Sequence, residues 1–393
     1  MNTRIPDEKL KNAAIKQVDA QRLQLQRLAL KIHANPEPGF KEVKASGWLT
    51  AYLEKKGFII ERGICDLNTA FRASYGTGNP KIAVLAEYDA LPGLGHACGH
   101  NLICTIACGA AVASKHTVDA CGGTVLVIGT PSEEMYAGKV TMAKKGAFND
   151  LDVALIVHPE TFDAASSNAL ACQNLYVEFF GKSAHASAAP DRGINALDAM
   201  ILAYNGIGAL RQHIRSTARI HGIITDGGKA ANVVPDHSAA EFIVRAADDA
   251  YLDEVGQKVL NCFIGAAQAT GARLEYRWDE LRYAAMKSNM TLAQLYADNI
   301  KTLGREARLP APGGGGGSTD MGNVSQIVPA IHPMVAIAPR SVSIHSPEFA
   351  QAAAGESGIQ GMVDAAKAMA LMIVDLLGNP DILRKVKEEF SQA

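Results

Sequence analysis

The apolar run Ile82-Ala83-Val84-Leu85-Ala86 opens directly into Glu87-Tyr88-Asp89-Ala90-Leu91-Pro92-Gly93-Leu94-Gly95-His96-Ala97-Cys98-Gly99-His100-Asn101. That junction constrains the chain more than any other. The run reads as a buried strand. A loop leaving the end of such a strand is where an α/β sheet places its chemistry. This loop packs carboxylate, imidazole and thiol groups close together. Cys beside His favours zinc or a similar transition metal, so a metal site is expected here.

The patterns around the junction set the fold class. Helical periodicity covers about residues 7–34, ending at Asn35-Pro36, and about 41–56, stopping at Gly57. Strand candidates at 82–86, 124–128 and 153–157 alternate with helices at about 102–115 and 137–146. Such alternation predicts an α/β fold, a mixed or parallel sheet with helices on its faces. The pattern changes after Cys172. A strand at 175–180, a helix at 194–214, strands at 218–224 and 239–244, a helix at 251–270 and a strand at 273–278 read as a compact α+β unit. That unit is inserted, because a helix at about 291–303, a strand at 334–338 and a helix at 361–377 resume the first pattern. The expected division is a catalytic domain over 1–172 and 285–393, with an inserted domain over 173–284.

At 393 residues the chain exceeds one ordinary core, which agrees with two domains. A formal net charge of -2 gives no reason to expect nucleic acid or an anionic membrane as partner. No apolar run is long enough to span a bilayer, and the polar start Met1 to Lys9 lacks the apolar core of a signal peptide. The seven Cys are scattered and odd in number, unlike a disulfide framework, and fit a reducing cytoplasm. Cys104 and Cys108, four residues apart in an apolar helix, read as packing.

Several strand ends carry candidate ligands. Cys98 and His100 follow the first. Glu133-Glu134 follows the apolar run 124–130 and Pro131-Ser132. His158 ends the next strand in Ile156-Val157-His158-Pro159-Glu160. A lone Glu-Glu pair is ordinarily a solvated loop, and a lone His at a strand end is ordinarily a hydrogen-bonded core residue. Three successive strand ends of one sheet can converge, and that repetition gives the set its weight. His345, in Ser343-Ile344-His345-Ser346-Pro347, could complete it, ahead of His332 and His96. A Cys-His nucleophile pair fits less well, because near-adjacent positions in one tight loop suit two ligands better than a nucleophile and its base. One carboxylate of the Glu-Glu pair could bind metal while its neighbour serves as general base. Gly313–Gly317 with Ser318 reads either as a linker or as a backbone N–H cradle for a carboxylate or oxyanion, with Gly317 and Ser318 at its exit. His185, in Gly181-Lys182-Ser183-Ala184-His185-Ala186, is by spacing alone a His in a small-residue loop.

Taken in order, these segments resemble the M20 family of metallopeptidases and amidohydrolases. The likeness rests on His96-Ala97-Cys98-Gly99-His100, Pro131-Ser132-Glu133-Glu134, Val157-His158-Pro159, the His185 segment, Gly317-Ser318-Thr319-Asp320 and Ile344-His345-Ser346-Pro347, and it runs over nearly the whole chain. It is closest to the branch of aminoacylase-like, hippurate and aminobenzoyl-glutamate hydrolases. Glu87 to Pro92, with Tyr204-Asn205 and Leu210-Arg211-Gln212, resemble the β-alanyl-lysine-type dipeptidase subgroup.

The resemblance implies a zinc-peptidase-like catalytic domain with a mixed sheet, an inserted lid that mediates dimerisation, and two divalent ions. Zinc leads, with manganese, cobalt or nickel as substitutes. Cys98, His100, Glu134, His158 and His345 would be ligands, Glu133 the general base, and Asp89 the group that orients a ligand from behind. His185 would reach the partner subunit's site and stabilise an oxyanion. Asn232 and Arg245 would contact a substrate carboxylate. Two departures from the branch bear on substrate. Pro190 is followed by Asp191-Arg192 where Pro-His is common, and Asn101 stands where Asp often follows Cys-Gly-His. The implied activity is cytoplasmic, dimeric, metal-dependent hydrolysis of N-acyl amino acids or conjugates. A dipeptidase for β-alanyl or basic dipeptides is the alternative on the same machinery. A non-catalytic metal-binding module is the alternative of another class.

Overall fold

The computed structural model describes residues 7–310 and 317–392. In chain order, α1 (Asp7–His33) and α2 (Val43–Lys55) precede the strands β1 (Ile59–Arg62), β2 (Phe71–Thr77) and β3 (Lys81–Ala86). Helices α3 (His100–Ala113) and α4 (Lys115–Cys121) lead to β4 (Gly123–Gly129), then α5 (Glu133–Tyr136), α6 (Gly138–Lys144), β5 (Val153–Leu155) and β6 (His158–Glu160). The middle of the chain forms β7 (Ala171–Phe180), α7 (Ala196–Leu210), β8 (Arg219–Asp226), β9 (His237–Ala246), α8 (Asp249–Thr270) and β10 (Arg273–Tyr283). The remainder forms α9 (Met290–Lys301), α10 (Met321–Ser325), β11 (Ala330–Ile331), β12 (Met334–Ala336), α11 (Pro347–Ala352), α12 (Glu356–Gly378) and α13 (Pro380–Gln392).

Two compact units result. One comprises residues 7–168, 286–310 and 323–392, and the other 169–285 and 317–322. The first is an α/β unit around a six-stranded mixed sheet of order β1-β2-β4-β3-β5-β11. Strands β4, β3, β5 and β11 run parallel, and β2 and β1 join antiparallel. Every residue of β4, and all of β3 after Lys81, is buried, as expected of central strands covered on both faces. Helix α3 is buried along its whole length and packs against α12, which is buried over most of its own.

Register positions the site. Ala86 pairs with Gly129 and Val84 with Leu155, so β3, β4 and β5 end at one edge of the sheet. The loops that begin at Glu87, Thr130 and Ile156 therefore leave side by side.

The second unit is an antiparallel sheet of order β10-β7-β9-β8, with α7 and α8 packed on it. Burial alternates strictly along β9, the signature of a sheet with one covered face. Its core includes Leu175, Val177, Phe179, Phe242, Val244, Val255 and Phe263.

Several expectations need correction. His158 does not end the strand before it. That strand stops at Leu155, and His158 begins β6, which pairs in parallel with β12. Proline cannot donate to a ladder, so Pro159 suits a small separate ladder and not the central sheet. The strand expected at 334–338 is accordingly β12, Met334–Ala336, outside the main sheet. The helix expected at 137–146 is α6, and a further short helix, α5, precedes it across Ala137, which sits in the left-handed region (φ 46°). Strands β1 and β2 and helix α13 extend the pattern read from sequence.

Candidate metal centre

The centre is best followed outward from Asp89. Its carboxylate is buried and held on two sides. Oδ1 accepts from His100 Nδ1 at 3.0 Å, and Oδ2 accepts from the Glu134 backbone N–H at 3.0 Å. One side chain thus ties the loop after β3 to the loop after β4. Burial would raise this carboxyl, but His100 and the backbone donors of Glu134 and Glu133 outweigh it and bring it down to about 2. Because an ionised carboxylate has no hydrogen to give, Nδ1 carries the proton of that bond. Burial opposes charge on the ring, but Asp89 and Cys98 push it well toward its charged form, so a metal would take Nε2 by displacing its proton.

His100 opens α3 behind Gly99, whose φ is +79°. A Cβ at Gly99 would stand 2.8 Å from the Pro159 ring, so glycine permits both the turn and the close approach of the His158 segment. The Cys98 Sγ consequently lies 3.3 Å from His158 Nε2. His158 Nδ1 donates to the Pro159 carbonyl at 2.6 Å, again leaving Nε2 toward the cluster.

Glu133 and Glu134 lie in α5 after Ser132, which has φ 60°. Buried Glu42 braces that turn. Its Oε1 accepts from the Phe40 and Ser132 backbone N–H groups at 2.9 Å each, and its Oε2 accepts from Thr69 Oγ1 at 2.8 Å. Burial pushes the Glu42 carboxyl up to about 7. At the far end of the turn, a Cβ on Gly138 would meet the Pro131 carbonyl at 1.8 Å, so only glycine closes it.

His345 completes the cluster from the C-terminal part of the same unit. Its backbone N–H donates to the Ala97 carbonyl at 3.0 Å, and its Nε2 stands 3.4 Å from Glu134 Oε1. Burial would raise Glu134, but the neighbouring His345 ring and the charge of His100 bring it down to about 2, while Glu134 raises His345 in return.

Three overlapping donor sets follow: Cys98–His100–His158, Cys98–Glu134–His345 and His100–Glu133–Glu134. Within each, the candidate atoms lie within 4.8 Å of one another. The fit to a metal is chemical as well as geometric. Among the described residues, His100 Nε2 and Glu134 Oε1 are buried without a hydrogen-bond partner, a costly arrangement that coordination would relieve. Burial also pushes the Cys98 thiol well up, so a metal would have to displace its proton. The mixture of S, N and O donors suits zinc-like ions.

His96 and His332 stay outside these sets. Both are buried, and burial pushes each down to about 3, so both are neutral imidazoles. His332 Nδ1 shares a 3.1 Å hydrogen bond with Ser167 Oγ.

The remaining candidates belong to the second unit. His185 is exposed in the loop after β7, where its Nδ1 accepts from Ser187 N at 3.4 Å and Ala188 N at 3.3 Å. The Ala186 N–H donates to the Asn232 carbonyl at 3.0 Å, so the two loops are joined. Arg245 on β9 donates to Ser318 Oγ at 3.4 Å, and its buried Nε has no partner among the described residues. The Gly317 carbonyl accepts from Leu170 N at 2.8 Å. Residues 313–316 of the glycine run lie outside the described residues.

Sequence reasoning gave no role to Glu42, Glu87 or Lys139. Glu87 carried a signal, as a charge placed directly at the end of an apolar strand. Lys139 is fully buried and 2.6 Å from Glu87 Oε1, yet in sequence it is one more Lys in a lysine-rich helix. Burial would raise Glu87, but Lys139 first and then His100, His158 and His332 hold it below the usual carboxylate range.

Comparison with known proteins gives a consistent result. Residues 173–267 match the peptidase dimerisation domain of the M20 class. The chain is 36% identical to a mouse Xaa-Arg dipeptidase over 98% of its own length and 92% of that protein's. It is also 36% identical to one of the p-aminobenzoyl-glutamate hydrolase polypeptides of Escherichia coli, over 67% of this chain and 59% of that one. The fold matches a dinuclear metal-binding peptidase of Bacillus subtilis with TM-score 0.73 and 20% identity, covering 91% of this chain and 99% of the other.

Proposed function

Because this chain belongs to the M20 family of metallopeptidases and amidohydrolases and is a metal-dependent hydrolase of amide bonds, we propose that it splits the bond between an acyl or aminoacyl group and the nitrogen of a free amino acid. The non-catalytic alternative falls away. The observation that carries the reading is the convergence of Cys98, His100, Glu134, His158 and His345 on one cluster that also contains Glu133.

In this reading those five side chains hold two divalent ions, zinc foremost. The ions, when bound, acidify a water and polarise the scissile carbonyl. Glu133 takes the proton from the attacking water and delivers it to the departing amine. Asp89 keeps His100 in the tautomer that presents Nε2 and fixes the backbone at Glu134. His185 of the partner subunit supplies a donor to the oxyanion. Asn232 and Arg245 bind the substrate carboxylate, with Ser318 and Gly317 shaping that end.

A homodimer through the 173–284 lid segment is part of the proposal. It is supported by the matched dimerisation domain and by apolar side chains exposed on outer strand β8 and on α7: Ile223, Ile224, Ile201 and Leu202. Among the described residues no helix is long and apolar enough to cross a membrane. The seven free thiols support a reducing, cytoplasmic setting.

The dipeptidase version gains weight from the mouse relative, because the match spans almost the whole of both chains. The test is amine release from dipeptides ending in Arg or Lys, β-alanyl dipeptides, aminobenzoyl-glutamate and N-acyl amino acids. Turnover of the basic dipeptides at least tenfold above the N-blocked compounds is expected. The reverse order restores the acyl-amino-acid reading, and no release from metal-loaded protein in any class refutes both.

A further inference from the structure

Against the proposed ligands lies a buried ion pair that the reaction outlined above does not use. Glu87 is the first residue after β3, and Lys139 is the second of α6. Their side chains are 1% and 0% exposed, and Lys139 Nζ stands 2.6 Å from Glu87 Oε1. The other oxygen, Glu87 Oε2, lies 3.5 Å from His100 Nε2, the nitrogen left for a metal because Nδ1 is engaged by Asp89. Oε2 accepts no hydrogen bond from the described residues. His158 meets the His100 ring edge-on with centroids 5.9 Å apart, and His332 meets His158 at 5.5 Å.

A carboxylate oxygen this close to a ligand nitrogen is itself a good donor for a divalent ion. A buried carboxylate with no cation beside it is also costly. The ammonium at Oε1 bears on both points, since it balances the charge of Glu87 and holds the carboxylate on the side away from the ligands. We infer that Lys139 is a positioning residue that keeps Glu87 as a fixed, non-ligating counter-charge beside His100, so that His100 and not a further carboxylate holds the neighbouring ion. The inference rests on the metal-hydrolase reading of the same site.

Opposite signs separate this role from a structural tie. Chelated full-length protein is titrated with Co²⁺, following the heat of binding and the visible absorption of the ion. Lys139→Met releases Glu87 to ligate, so Co²⁺ binds about tenfold tighter and its absorption weakens as the coordination number rises. Glu87→Gln leaves the buried ammonium facing the ion, so Co²⁺ binds about tenfold more weakly. The double variant returns to within about threefold of the parent in affinity and recovers its spectrum. If both single variants shift affinity in the same direction with parent-like spectra, the pair is a structural tie and the inference is overturned. Should Lys139→Met fail to fold, Glu87→Gln and the double variant still decide, because an affinity that the second substitution does not recover also overturns it. A parent that takes up no Co²⁺ removes the metal-hydrolase reading along with the inference. A parent that binds two ions while the variants behave alike removes only the inference.

Discussion

Around His100 the supporting side chains are buried and held by named partners, while the atoms that face the cluster are left for a metal. Asp89 bonds its ring, Glu42 braces the turn before Glu133, and Lys139 pairs with Glu87. Around His185, in the other unit, the polar groups are exposed, and among the described residues that ring bonds Ser187 and neighbouring backbone. The first cluster is preorganised within one chain, which is what metal ligands and a general base require. The second is not fixed by its own surroundings, which fits residues that act on something arriving from outside.

This contrast is open to direct attack. The largest effect is expected at Glu133. Glu133→Gln should lower kcat by about a thousandfold, within the usual range for losing a general base, with little change in KM. Metal content, measured alongside, should remain at the parent value. Parent-like turnover would dismiss Glu133 as the base.

His185→Ala probes the exposed cluster. Loss of an oxyanion donor costs on the order of a hundredfold in kcat, and because the residue lies outside the donor sets, metal affinity should not move. A hybrid dimer carrying one His185→Ala subunit and one Glu133→Gln subunit sharpens the test. If His185 serves the partner's site, both defects fall on one site, the other site is intact, and the hybrid keeps roughly half of the parent dimer's activity. A hybrid as inactive as the two variant homodimers would assign His185 to its own chain.

Asp89→Asn attacks the buried cluster from behind. The substitution removes the negative charge behind His100 and leaves one acceptor oxygen for two donors, His100 Nδ1–H and the Glu134 N–H, so metal affinity should fall by roughly ten- to a hundredfold. Calorimetric titration of chelated protein reads this directly, and unchanged affinity would reduce Asp89 to a loop tie.

The smallest effect concerns Glu42. Burial pushes its carboxyl up to about 7 from an ordinary value of 4.5. The folded state therefore holds a proton that the unfolded chain releases, and stability from this group falls as pH rises from about 4.5 to about 7. Glu42→Gln should abolish that slope. Relative to the parent, the chelated variant should gain on the order of 3 kcal/mol between pH 4.5 and pH 8 in urea unfolding. A parent–variant difference that stays constant with pH would contradict the assignment.

Much of the buried cluster was legible because its chemistry is written at strand ends. Cys98, His100, Glu133 and Glu134 follow apolar runs directly, and the Ala86–Gly129 register brings those runs to one edge. His158 lies beside Cys98, but not for the reason its strand-end position suggested, since Pro159 moves it into a separate ladder. The supporting layer was not legible. Glu42 lies far back in sequence at the start of α2, and Lys139 in its short helix looks like a solvated lysine. Their roles exist only after folding brings Ser132 and Glu87 to them. Strands β1 and β2 escaped notice because their burial is partial and lacks a long apolar run.

The most direct measurement is stepwise metal titration of chelated protein while amine release is followed from a dipeptide or acyl amino acid that the metal-loaded protein cleaves. The expected result is negligible turnover without metal, two ions bound per chain, and activity that rises as the Cys98–His100–Glu134–His158–His345 cluster fills. Full turnover in the chelated protein, or activity that does not follow occupancy, would contradict the account.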